Sequence, residues 1–172
     1  GRLDRAGRPR GLALGCLASY VKARRPDVEV VIREFPLSLS DPRLPEQAAE
    51  EILDGDPDLV GVSLFCWDLD AFEPVIRRVK RLSPRVRIGA GGPSVTFAPR
   101  EVLGRMPAVD AAVVGEGEET LAQVVEQGLG EMPGLVLRDP GGGLRETGSR
   151  PPLSSIPSPY LGGFIDPPKS NL

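Results

Sequence analysis

The sequence predicts an α/β domain: an open, mainly parallel sheet flanked by helices, with a C-terminal β-hairpin and a proline-rich tail. Three observations predict it. Short apolar runs alternate with amphipathic stretches in units of roughly 25–30 residues, as right-handed βαβ crossovers require. Two of those runs pass into glycine-rich turns, Gly91-Gly92-Pro93 and Gly115-Glu116-Gly117, just before a helical pattern begins. The last third holds two short apolar runs around Pro140-Gly141-Gly142-Gly143, a hairpin signal.

Taken in order, residues 1–10 are polar and arginine-rich and read as a flexible arm. Residues 12–23 read as a helix, because Leu14, Leu17, Ala18 and Val21 recur on one face. Residues 28–33 alternate β-branched and charged types, the pattern of a strand with one wet side near a sheet edge. Residues 35–44 are broken by proline and read as a loop. A helix over 45–53 opens on Pro45 and closes before Gly55. Residues 58–64 form a near-continuous apolar run, expected of a strand buried on both faces.

The next helix is the clearest. Leu69, Phe72, Val75, Ile76, Val79 and Leu82 make one stripe, and Arg77, Arg78, Lys80 and Arg81 cover the other sides. A strand over 86–90 leads into the GGP turn, and a helix follows over about 98–106. A strand over 111–114 leads into Gly115-Glu116-Gly117-Glu118-Glu119, then a helix to about Gln127. Residues 134–147 form the hairpin, and 149–172 a proline-rich tail or linker that hugs the domain, which itself spans 11–148. One feature breaks the pattern. A doubly wound sheet begins with a central strand, yet here a helix comes first and residues 1–10 cannot supply that strand. Either it was cut away, or another element or a second copy completes the sheet. The whole reads as a Rossmann-like, flavodoxin-like domain.

Composition excludes several functions. Of 172 residues, 21 are Lys or Arg and 24 Asp or Glu, a net charge of −3, which argues against a nucleic-acid or anionic-membrane partner. There is no histidine, so Ser-His-Asp and Cys-His machinery and imidazole–metal ligation are excluded. Cys16 and Cys66 are the only cysteines, too few for a four-cysteine cluster, and both are expected to be reduced in a cytoplasmic chain. No metal site and no catalytic group of its own is expected.

Ligands of open parallel sheets bind outside the carboxyl ends of the strands. Three loops belong there: Ser63, Leu64, Phe65, Cys66, Trp67 and Asp68; then Gly91, Gly92, Pro93 and Ser94; then Gly115, Glu116, Gly117 and Glu118. Each alone reads as a tight turn or as part of a shared site. GxxxxGK[ST] is absent, and no GxGxxG follows a strand. The carboxylates of the third loop complement a helix dipole and cap its N–H groups, and would repel phosphate. The backbone of the second loop is uncharged and suits a polar or anionic ligand tail. Cys66 reads as an inert buried thiol. Trp67 reads either as a ring packed beneath the following helix or as a ligand-facing group.

The residues Gly11-Leu12-Ala13-Leu14-Gly15-Cys16-Leu17-Ala18-Ser19-Tyr20, Ser63 with Trp67, Gly91-Gly92-Pro93, and Val114 through Thr120 together resemble the N-terminal cobalamin-binding domain of radical S-adenosylmethionine (SAM) proteins. Pro157-Ser158-Pro159-Tyr160-Leu161 resembles the connector to their radical domain. The resemblance implies cobalamin across the carboxyl edge, its nucleotide tail threaded into the domain, lined by the three loops above. It implies a partner domain, in the same polypeptide or another chain, holding a [4Fe-4S] cluster and SAM, with methyl transfer or a related radical reaction on a small molecule. The CxxxCxxC cluster motif and the DxHxxG motif are both absent here, so the resemblance implies a His-off cofactor whose cobalt meets the loop around 64–67 or water. The alternative is a non-catalytic domain of the same fold, acting as a scaffold or substrate-docking module. A flavodoxin- or response-regulator-like module is the third reading, opposed by the lack of an acidic triad at strand ends.

Overall fold

The structure, a computed structural model, describes residues 11–35 and 43–165. The expected arm over 1–10, most of the loop over 35–44 and the end of the tail fall outside those residues. The described chain runs α1 (Leu12–Arg24), α2 (Leu44–Leu53), β1 (Leu59–Ser63), α3 (Leu69–Leu82), β2 (Arg87–Gly91), α4 (Pro93–Phe97), α5 (Pro99–Arg105), β3 (Ala111–Val113), α6 (Glu118–Gln127), β4 (Leu135–Arg138) and β5 (Leu144–Glu146). The five strands lie in the order β1-β2-β3-β4-β5. The β1–β2 and β2–β3 pairs are parallel, while β4 and β5 join as an antiparallel hairpin on β3. This is the expected α/β sheet with its appended hairpin.

Strand alternation divides the core in two. Val60, Val62, Ile88 and Ala90 point to one face, where Ile76 and Val79 of α3 and Val102 and Leu103 of α5 cover them. On the other face Ala111, Leu135 and Leu137 pack with Val124 of α6. Helix α1 lies against α6 on this second side. Lys80 Nζ reaches Asp110 Oδ2 at 2.8 Å and the Val86 carbonyl at 2.8 Å, and Ile88 N–H donates to the same carboxylate at 2.8 Å. That cluster pins β2 and β3 at their amino ends.

Two expectations are corrected. Residues 28–33 form no strand: the segment joins no ladder among the described residues, and β1 is the outermost strand of the sheet. The helix expected over 98–106 is present as α5, but a further short helix, α4, precedes it over Pro93–Phe97, where the sequence read as a turn. Ala98 sits at φ −141°, ψ 58°, as a residue before proline tends to, and Pro99 starts α5 afresh while Pro93 starts α4.

The tail is docked. A Cβ on Gly15 would stand 2.4 Å from Ile165 Cδ1 and 3.1 Å from Pro159 Cβ, so the small residues of α1 receive the tail. Ser19 Oγ donates to the Ser158 carbonyl at 3.1 Å, and Arg150 reaches Thr120, Gln123 and the Pro133 carbonyl.

Candidate functional site

The three loops at the carboxyl ends of β1, β2 and β3 come together as one rim. Leu64 joins the first two: its N–H donates to the Gly91 carbonyl at 2.8 Å, and its carbonyl accepts from Ser94 N–H at 3.3 Å. Gly92 turns at φ +98° directly against it, with Leu64 O 2.8 Å and Ser63 Oγ 3.1 Å from where a Cβ would stand. Only glycine fits that approach. Thr96 joins the second loop to the third, its Oγ1 accepting from Gly115 N–H at 3.2 Å.

The first loop is a closed turn. Asp68 N–H donates to the Phe65 carbonyl at 2.9 Å, and Asp68 Oδ2 accepts from Phe65 N–H at 3.2 Å. The turn lifts its rings outward. Trp67 is 71% exposed and stacks on Phe65, with ring centroids 5.0 Å apart and planes 9° from parallel. Trp67 is therefore not packed under α3, whereas its neighbours Leu64 and Leu69 are buried. Cys66 is exposed too, which corrects its reading as a buried thiol. Phe97, at the end of α4, is 88% exposed.

Beneath the rim lies a feature that the three loops did not reveal. On the second face, Gly61 of β1 pairs with Gly89 of β2, and Ser63 pairs with Gly91. A Cβ on Gly61 or Gly89 would meet nothing within 4 Å, and one on Gly91 only Val113 Cβ at 3.7 Å. Val124 of α6 packs over β3 and β4 on this face, whereas along Gly61, Gly89 and Gly91 the sheet carries no side chain and forms a trough floored by backbone. Its sequence signal was glycine at period two within strands, Gly61 and then Gly89 with Gly91.

The carboxylates of the third loop do not cap α6. No side chain caps that helix. Glu116 accepts instead from Leu153 N–H of the tail at 2.7 Å. Glu119 accepts from the Tyr20 hydroxyl and from Arg24 Nη1 at 2.6 Å, joining α1 to α6. The Tyr20 hydrogen bond, then Arg24, holds the Glu119 carboxyl below its ordinary range, and the same bond raises the Tyr20 hydroxyl above its ordinary value of 10. Burial, reinforced by Glu118, pushes the Cys16 thiol up. Glu118 and Glu119 still lie in the first turn, where negative charge suits the helix dipole. The second loop's Ser94 N–H is already used on Leu64, so it is not free for an anionic ligand. Among the described residues no group of three His, Cys, Asp or Glu could hold a metal ion, and no helix is long and apolar enough to cross a membrane.

The geometry suits an elongated group laid along the trough, with a broad, partly apolar body on the rim. It offers no side chain that would ligate a metal through nitrogen. Comparison with known proteins identifies the family. The B12 binding domain family matches residues 5–125. The chain is 33% identical over 122 residues to a 2-(S-pantetheinyl)-carbapenam-3-carboxylate methyltransferase of Streptantibioticus cattleyicolor, covering 64% of this chain and 18% of that one. It is 31% identical over 128 residues to the cobalamin-dependent radical SAM methyltransferase TokK of Streptomyces tokunonensis, covering 68% and 19%. It is 28% identical over 148 residues to an anaerobic magnesium-protoporphyrin IX monomethyl ester cyclase of Rubrivivax gelatinosus, covering 81% and 26%. The chain thus spans about a fifth to a quarter of the length of these curated relatives.

Proposed function

From the premise that the chain belongs to the B12-binding domain family, we propose that it holds cobalamin on the carboxyl rim of its sheet, with no imidazole on the metal. The observation that carries this reading is the trough over Gly61, Gly89 and Gly91, which opens under the three joined loops. Backbone without side chains admits the nucleotide tail along the sheet face, where any larger residue would stand in its way. The bound cofactor supplies a cobalt centre that can take up a methyl group and hand it on.

The chain's own residues bind, orient and exclude water. Gly92 and Leu64 fix the rim where the tail enters. Thr96 holds Gly115, and with it the third loop, at a set distance from the second. Phe65 and Trp67, a stacked aromatic pair held by the Asp68 turn, would offer the cofactor a broad apolar surface. With no histidine in the sequence, no imidazole of this chain would ligate the metal.

The proposed context is a cofactor-carrying module that works beside a radical SAM domain, in the same polypeptide or a partner chain. That domain would hold the [4Fe-4S] cluster and SAM. Relatives named as methyltransferases and a cyclase support methyl transfer or ring formation as the reaction class.

The test is retention. The protein is mixed with hydroxocobalamin under reducing conditions, passed through gel filtration, and read for corrin absorbance. About one corrin per chain in the protein peak is the expected result. A protein peak free of corrin would overturn the reading in favour of a scaffold that kept the fold and lost the cofactor.

A further inference from the structure

We propose that Glu116 is a positioning residue that fastens the third rim loop to the tail, so that the seating of residues 150–165 on α1 and the shape of the rim are coupled. The inference rests on the proposed function only for what the rim holds.

Three consecutive residues of the third loop are gripped by three different parts of the chain. Gly115 N–H donates to Thr96 Oγ1 at 3.2 Å, Glu116 Oε2 accepts from Leu153 N–H at 2.7 Å, and a Cβ on Gly117 would stand 3.1 Å from Leu17 Cδ2 of α1. Glycine on both sides of Glu116 leaves the loop little stiffness of its own, so these outside holds set its position. The neighbouring carboxylates are engaged elsewhere. Glu119 ties α6 to α1 through Tyr20 and Arg24, and Glu118 lies in the first turn of α6. Among the described residues, Glu116 is the carboxylate of this loop that reaches the tail. It does so through a charge-assisted bond to a backbone amide, which is stronger than a neutral one.

On the tail side this bond stands by itself. Arg150 fixes the start of the tail to Thr120, Gln123 and the Pro133 carbonyl. The next anchors come at Ser158, whose carbonyl accepts from Ser19 Oγ at 3.1 Å, and at Pro159 and Ile165, both buried against Gly15. Between them, residues 154–157 are exposed and make no hydrogen bond among the described residues.

The anchors close a ring. The tail sits on α1, α1 touches Gly117 through Leu17, and Glu116 returns to the tail. Lifting the tail from Gly15 therefore pulls on Leu153, and Leu153 holds the loop through the Glu116 carboxylate. Such coupling is reciprocal: a ligand that fixes the rim tightens the tail, and a seated tail favours the ligand.

Hydrogen exchange on the full chain tests this at two amides, Gly115 and Leu153. Ile165→Asp unseats the tail without altering α1 or the rim, and Ile165→Ala is a milder second variant. Each is expected to speed exchange at Gly115, Ile165→Asp by about fivefold or more, and Glu116→Ala is expected to match it. Combined with Glu116→Ala, Ile165→Asp is expected to add nothing. Glu116→Gln keeps an acceptor oxygen and is expected to restore most of the parental protection. Circular dichroism checks that each variant is folded. Bound hydroxocobalamin is expected to slow Leu153 exchange in the parent at least about fivefold, and to leave it unchanged in Glu116→Ala. Parental exchange at Gly115 in both Ile165 variants overturns the proposal. So does an acceleration of the same size with and without Glu116, which routes the effect through Leu17. So does Leu153 exchange that bound corrin leaves unchanged in the parent. A parent that retains no corrin overturns the proposed function instead, and exchange at Gly115 still decides the coupling.

Discussion

Gly92 and Leu64 meet backbone to backbone: the Leu64 oxygen stands 2.8 Å, and its nitrogen 2.9 Å, from where any Cβ at position 92 would lie. With φ at +98°, this contact makes the junction of the first two rim loops a site that only glycine serves. Gly92→Ala is expected to lower stability by roughly 2–3 kcal/mol through steric and conformational strain. Urea unfolding followed by circular dichroism measures it. Because the rim itself shifts, corrin retention is expected to fall as well.

Gly61 and Gly89 separate binding from folding. At either position a Cβ would find no atom within 4 Å, and neither residue needs a positive φ. Gly61→Val or Gly89→Val is therefore expected to leave stability within about 0.5 kcal/mol of the parent. The added side chain fills the trough, so retained corrin is expected to drop at least about tenfold. A folded variant that keeps its full corrin complement would remove the trough from the site.

The junction of α1 with α6 sets a pH window. The carboxyl of Glu119 titrates below its ordinary value near 4.5, so its stabilising contribution is present at neutral pH and lost as pH falls through that lowered range. The hydroxyl of Tyr20 titrates above 10, so its contribution is present below 10 and lost as pH rises through the raised value. Arg24 and Gln123 hydrogen-bond the same carboxylate, and Arg150 adds its positive charge nearby. Glu119→Gln is expected to cost about 1–2 kcal/mol at pH 7, after allowance for the partly exposed Arg24, and to flatten the acid limb of a stability–pH curve.

The tail rests on the small residues of α1. Gly15→Leu puts a side chain where Ile165 now packs, at 2.4 Å from the added carbon. Limited proteolysis is expected to cut the chain between Arg150 and Ile165 in the variant at least about tenfold faster than in the parent, since local opening governs such cleavage. Equal rates would show that the tail is held from elsewhere.

Much of this was legible from residues alone. The stripe of Leu69, Phe72, Ile76 and Val79 determined α3, the apolar runs determined β1 to β3, and the Gly-rich hairpin turn determined β4 and β5, because each signal is local and periodic. The strand-end rule placed Ser63–Asp68, Gly91–Ser94 and Gly115–Glu118 on one edge from chain order alone. The absence of histidine was also decided there. Other features depend on partners distant in sequence. Whether 28–33 becomes a strand turns on a neighbour in the sheet, which no pattern within the segment specifies. The exposure of Trp67 and Cys66 was settled by packing too, which takes Leu64 and Leu69 of the same stretch into the core and leaves these two outside. The trough emerged only when Gly61 was set beside Gly89, and the small residues of α1 gained their meaning only when Ile165 arrived from the far end of the chain. Periodicity reports which face is apolar; register and packing decide what, if anything, covers it.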